Sequence, residues 1–230
     1  MKIIIASHFG RNKKIREFLI NKSSKFDVIN IRSNSELSKE NLTSLSPDWI
    51  FFPHWGSKIP ESIFQKYKCV IFHMTDLPYG RGGSPLQNLI VRGHKTTKLS
   101  AIECVAEMDA GDIYLKRDLS LLGTAEEILT RASKLMQEMI FEIVQKNIVP
   151  VKQQGVVVNF KRRNRAESSI KDLTSLQQIF DYIRMLDAEG YPKAFIETEN
   201  LRLEFSSADL KSNQELHAKV KINKRINYEK

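Results

Sequence analysis

Long apolar runs, cysteine and metal-ligand spacings are what this chain of 230 residues has least of. Behind Met1-Lys2 the first continuously apolar stretch is Ile3-Ile4-Ile5-Ala6, far short of the roughly 20 residues a membrane-spanning helix needs. Neither a secretory leader nor a membrane partner is expected. The two cysteines, Cys69 and Cys104, both stand in apolar runs, which excludes a disulfide framework and predicts buried, reduced thiols in a cytoplasmic protein. The five histidines, at 8, 54, 73, 94 and 217, lack ligand spacing, so no metal is expected. The G-x-G-x-x-G dinucleotide fingerprint is absent too, as is any internal repeat or low-complexity tract.

The remaining composition is that of a soluble domain, 41% apolar and 27% charged. Its length suits one large domain, or a medium domain with a small appendage. A change of character near Val151 divides it into residues 1–150 and 151–230. The net charge of +9 favours an anionic partner, whether nucleic acid, nucleotide phosphate or a polyglutamate tail, without choosing among them. Residues 151–230 hold 15 basic and 11 acidic side chains, so the excess is spread along the chain.

Periodicity predicts alternating strands and helices. Buried-strand patterns run over Lys2–Ala6, Phe26–Ile31, Asp48–Phe52 and from Cys69 to Phe72, and helical spacing over Asn12–Asn21. A short helix is expected within Ser33–Ser46, another from Pro60 through Phe64, and a third at Pro85. Lys98–Val105 and Ile113–Leu119 form a hairpin pattern with an acidic turn, and Thr124 caps a long helix ending near Asn147. Beyond it, a strand at Val156–Phe160, a helix over Leu173–Leu186 and strands at Ala194–Thr198, Leu201–Phe205 and Leu216–Ile222 are predicted. The fold class is therefore α/β with a small α+β carboxyl-terminal subdomain.

The chain is organised around one stretch. A buried strand breaks at His73 into a loop whose Pro78, Gly80, Gly82 and Gly83 continue neither strand nor helix, and Pro85 opens a helix. His73 thereby falls at the carboxyl end of a strand, where open α/β sheets gather their ligands. The pattern His73-x-Thr75-x-Leu77-Pro78-x-x-Arg81-Gly82-x-x-Pro85-x-Gln87, followed by Met108-Asp109-Ala110-Gly111-Asp112, resembles the signature of the folate-dependent formyltransferases.

That resemblance implies a Rossmann-like catalytic sheet and formyl transfer from 10-formyltetrahydrofolate to a primary amine. It implies His73 and Asp109 as the proton-handling pair, Gly56, Ser57, Lys58, Ile59, Val105 and Met108 at the folate, and Thr75, Arg81 and Gly82 at the substrate. An imidazole suits proton transfer or donation to a developing oxyanion, and a carboxylate beside it fixes its tautomer. The family's Asn two residues before the histidine, a donor to the formyl oxygen, is Ile71 here. His54 is the expected substitute catalytic donor, with Asn88 and Gln87 as second choices; the alternative for His54 is that it pins its own loop. Arg81 either holds the signature loop or contacts substrate.

The Phe160-x-Arg162-Arg163 loop, Ile183-Arg184 and Tyr191-Pro192-x-Ala194-Phe195 resemble the carboxyl subdomain of sugar N-formyltransferases. They lead to the expectation of a nucleotide-linked amino sugar as acceptor, nucleic acid being the less expected partner, with a homodimer possible. The contacts of Arg162 and Arg163 stay open, because Asn164-Arg165-Ala166-Glu167 replaces the usual sequence after them. Formylation of methionyl-tRNA is the runner-up, and a non-catalytic folate- or nucleotide-binding protein the third reading.

Overall fold

The computed structural model describes residues 1–225. The chain forms β1 (Lys2–Ala6), α1 (Lys13–Lys22), β2 (Asp27–Ile31), α2 (Lys39–Leu45), β3 (Trp49–Phe52), α3 (Glu61–Phe64) and β4 (Lys68–His73) in alternation. These are followed by β5 (Tyr79–Gly82), α4 (Pro85–Val91), β6 (Thr96–Glu103), β7 (Ile113–Ser120), α5 (Ala125–Lys146) and β8 (Val158–Phe160). The chain closes with α6 (Leu176–Met185), β9 (Ala194–Glu197), β10 (Leu201–Ser212) and β11 (Glu215–Lys224).

The central sheet has the order β2-β1-β3-β4-β6-β7. The first four strands run parallel, as the intervening helices require, and β6 runs antiparallel to β4. Ile3, Ile4, Ile5, Phe51 and Phe52 are almost wholly buried, which explains why β1 and β3 read as continuous apolar runs instead of alternating ones. Each such side chain contributes about 1.5–3 kcal/mol on burial. β1 is where strand order reverses, so the crevice at the carboxyl ends of β1 and β3 is the sheet's switch point. β4 is the next strand along.

Cys69 and Cys104 sit in this core, free and buried. Burial pushes the Cys69 thiol well up and raises Cys104 to about 11, with Glu103 and Asp109 adding to the effect at Cys104.

Two compact units divide the described residues: 1–82, 97–119 and 130–159, and 83–96, 120–129 and 160–225. The second carries the three-stranded sheet β11-β10-β9. Thr124 caps α5 as expected: its hydroxyl accepts from Glu127 N at 3.3 Å while the Glu127 carboxylate accepts from Thr124 N at 2.7 Å.

Two elements depart from the sequence reading. The glycine-rich loop contains a strand, β5, which pairs with β8; Gly80 and Gly82 adopt φ of 80° and 103°, conformations that make the stretch look unlike a strand. β10 runs on to Ser212 instead of stopping at Phe205, because a bulge at Ser206–Asp209, with Ser207 at φ 51°, absorbs the break in its pattern.

Candidate active site

β4 runs antiparallel to β6 with His73 opposite Ser100, and the hairpin of β6 and β7 carries Asp109 in its turn. The two side chains meet: His73 Nδ1 lies 3.4 Å from Asp109 Oδ1. Both are largely shielded from water, with side-chain exposures of 8% and 11%. The other ring nitrogen, Nε2, donates to Gly80 O at 2.7 Å; a carbonyl oxygen only accepts, so that nitrogen carries hydrogen in this arrangement. The second carboxylate oxygen of Asp109 accepts the Gly82 backbone N–H at 2.8 Å. The ring is thus suspended between an acidic turn and a glycine strand, and an added proton would find an acceptor on either side.

The signature's other members build the loop. Thr75 has no accessible surface; its hydroxyl donates to Gly80 O and its carbonyl accepts from Ser100 Oγ at 2.7 Å. It was expected at the substrate, but complete burial gives it the work of holding the loop that His73 leans on. Arg81 donates to Gln153 Oε1 through Nε and Nη2 and to Glu107 through Nη1 at 3.0 Å. Gly82 is spent on Asp109. Gln153, which no sequence signal marked, also donates to Asp109 O and Gly111 O.

The residues expected at the folate lie on two loops, one after β3 and one between β6 and β7. Val105 and Met108, on the acidic turn, are 36% and 69% exposed, an apolar surface of the kind a pterin ring can cover. After β3, Gly56 and Lys58 are exposed, Ser57 accepts from Asn34 Nδ2 at 3.1 Å, and Ile59 is buried in the core. Ile71, half-buried, packs on that same core.

His54 belongs to a second polar cluster in the same unit. It stands at φ 53° with Nε2 3.3 Å from Ser133 Oγ. Ser133 donates to Asn12 Oδ1 at 2.8 Å, and Asn12 Nδ2 reaches Ser7 Oγ and Pro53 O. Beside it His8 stacks on Trp55 with centroids 3.9 Å apart. The second-choice donors are committed elsewhere. Asn88 Nδ2 donates to Gly83 O, Ser84 O and Lys161 O, and Gln87 Nε2 to Met185 O.

In the second unit Arg163, one of the two arginines left open, finds internal partners. Arg163 donates from its backbone to Ser84 Oγ and lies over Tyr182. A Cβ on Gly83 would stand 2.5 Å from that of Arg162, so only glycine admits this close approach. Asn164 and Glu167, unlike the family's sequence here, form a reciprocal capping box. Arg184, 8% exposed, donates to Leu121 O and Gly123 O and pairs with Asp181 at 2.6 Å. No group of three or more His, Cys, Asp or Glu among the described residues could hold a metal ion, and no described helix is long and apolar enough to cross a membrane.

The solved structure of a methionyl-tRNA formyltransferase from Clostridium thermocellum is 48% identical to this chain. The match covers 98% of this chain and 100% of that one, with a TM-score of 0.94. The chain belongs to the folate-dependent formyltransferase family. Residues 165–223 also match the model of the carboxyl-terminal domain of methionyl-tRNA formyltransferase. The curated methionyl-tRNA formyltransferase of Sulfurihydrogenibium sp. is 29% identical over 202 residues, 81% of this chain. This chain spans 64% of that relative's length. A sugar N-formyltransferase structure from Shewanella shares only the fold, at 14% identity over 92% of this chain and 99% of that one, with a TM-score of 0.69.

These findings overturn the expectation of a nucleotide-linked amino sugar, and with it that of nucleic acid as the unlikely partner. The physical reason lies in the formyltransferase motifs that suggested a sugar. Ile183-Arg184 satisfies backbone carbonyls, Arg163 packs on Tyr182, and Phe195 lies 3.7 Å under Arg202. Such motifs report how a subdomain holds itself together, and two acceptor classes can share them.

Proposed function

We propose that this chain transfers the formyl group of 10-formyltetrahydrofolate to the α-amine of methionyl-tRNA. The observation that carries the reading is the 48% identity, along essentially the whole chain, with a protein of that description. The net charge of +9 suits a polyanionic acceptor, and a cytoplasmic setting goes with it.

The folate supplies an activated formyl group. The acceptor amine attacks its carbon, a C–N bond forms to the amine, and the bond from the formyl carbon to folate N10 breaks. The amine gives up one proton and N10 gains one. His73 and Asp109 are the groups that carry this proton: the ring accepts it with the carboxylate beside it to stabilise the charge, then returns it to the leaving nitrogen. The low exposure of both strengthens that stabilisation, because little water screens the pair. Ile71 offers no hydrogen bond to the formyl oxygen, so that donation is proposed for His54, at the end of the strand whose Phe52 lies opposite Ile71; it requires Nδ1 to carry a hydrogen as well as the Nε2 that gives its own to Ser133.

The test is turnover of charged initiator tRNA with 10-formyltetrahydrofolate. Formyl-methionyl-tRNA should form at a rate that falls steeply as salt rises, because phosphate contacts release counterions. Absence of transfer to any tRNA would sink the reading, and Ile71 would then favour a folate-binding protein without catalysis.

A further inference from the structure

Gln153 stands outside both signature motifs, yet its amide joins them. An antiparallel bridge pairs Ile113 with Val151, with hydrogen bonds of 2.7 and 3.0 Å. Continued two residues in each direction, that register sets Gln153 beside Gly111, in the acidic turn. There its four polar positions are all used. Nε2 donates to Asp109 O at 2.8 Å and Gly111 O at 2.9 Å, while Oε1 accepts from Arg81 Nε at 3.2 Å and Nη2 at 2.9 Å. The flipped amide would set N–H groups against a guanidinium and an oxygen against two carbonyls, so one orientation alone satisfies the site.

The turn needs such a fastening. Asp109 holds φ 55°, which a non-glycine residue keeps only when its surroundings enforce it. From one side β6 confines the turn: Glu103 N donates to Asp112 O at 2.8 Å, and a Cβ at Gly111 would come within 1.9 Å of Glu103 O. From the other side Gln153 takes the two carbonyls and ties them to Arg81, one residue from the N–H that Asp109 accepts. We propose that Gln153 is a positioning residue for formyl transfer: its N–H groups aim the Asp109 carboxylate at His73, and Arg81 serves chiefly to orient that amide.

This rests on the transfer reaction proposed above, and the experiment separates the two. Gln153→Glu keeps an acceptor for Arg81 and loses both donors; Gln153→Leu loses everything. If the donors aim Asp109, both variants lower kcat by roughly 10–100-fold, the scale of a misplaced reacting group, with KM for the folate nearly unchanged. In an Asp109→Ala background the same substitutions add almost nothing, because the residue they act through is gone. Amide exchange at Gly82, protected by Asp109, quickens about tenfold in both variants without a matching rise elsewhere in the core.

Wild-type activity in Gln153→Glu would overturn the proposal, since the amide would then only brace Arg81. A full additional loss in the Asp109→Ala background, or unchanged exchange at Gly82, would overturn it as well. If Gln153→Leu does not fold, Gln153→Glu decides alone. A wild-type protein that formylates no tRNA refutes the function, and the exchange measurement still decides the geometry.

Discussion

Two histidines stand at the carboxyl ends of neighbouring parallel strands, and their surroundings differ in kind. His73, ending β4, lies between the Asp109 carboxylate and the Gly80 carbonyl. His54, just past β3, presents Nε2 to the hydroxyl of Ser133. A carboxylate stabilises positive charge on an imidazole, whereas a hydroxyl orients the ring without doing so. The roles proposed for the two rings differ accordingly: His73 to carry a proton, His54 to give a hydrogen bond to an oxygen. The fastenings differ as well. The first cluster is stitched from backbone and side chains of two loops by Gln153 and Arg81, the second from buried Asn12, Ser7 and Ser133.

The sharpest way to break that comparison is to remove the first pair. His73→Ala or Asp109→Ala should lower formyl transfer by roughly 10²–10⁴-fold, the range of a positioned acid–base group. Asp109→Ala should also lower the melting temperature, because it strands the Gly82 N–H that the carboxylate accepts at 2.8 Å and sets an alanine at φ 55°. Rate measurements at saturating folate check this, and activity untouched by either change removes the pair from the mechanism.

The signature made one half of the comparison legible and left the other half hidden. His73 and Asp109 could be paired because the family resemblance implies it, and each motif falls on a local structure that periodicity also marks, strand to loop and hairpin to turn. Gln153 could not, since it joins the site through an antiparallel register that nothing in the polar run Lys152-Gln153-Gln154 advertises. Strand β5 was hidden by the glycines that make it possible. The acceptor was misread because Arg184 and Phe195 hold their own subdomain together, and such packing residues are indifferent to what the active site formylates.

The second half is tested next by His54→Ala. If His54 supplies the donation that Ile71 cannot, kcat should fall by about 10²–10³-fold, the cost of one oxyanion donor, while tetrahydrofolate binding holds. Stopped-flow rates of the chemical step, with folate affinity measured separately by fluorescence, make the check. Full activity would leave His54 with Ser133 as a loop fastening and would send the search for a donor elsewhere.

The smallest effect should come from Ser133→Ala. Ser133 is 6% exposed and donates to Asn12 Oδ1 at 2.8 Å, so its loss strands a buried acceptor and costs about 1–3 kcal/mol of stability. Chemical denaturation reads that directly as a lower midpoint with an unchanged slope. Activity should fall by much less than in His54→Ala, because the imidazole stays at the strand end and loses only one of the contacts that orient it. A loss as large as that of His54→Ala would mean that the hydroxyl fixes the donating geometry of the ring. The buried network of Ser7, Asn12 and Ser133 would then serve the site as Gln153 and Arg81 serve Asp109, and the two histidines would differ only in the charge that their partners carry.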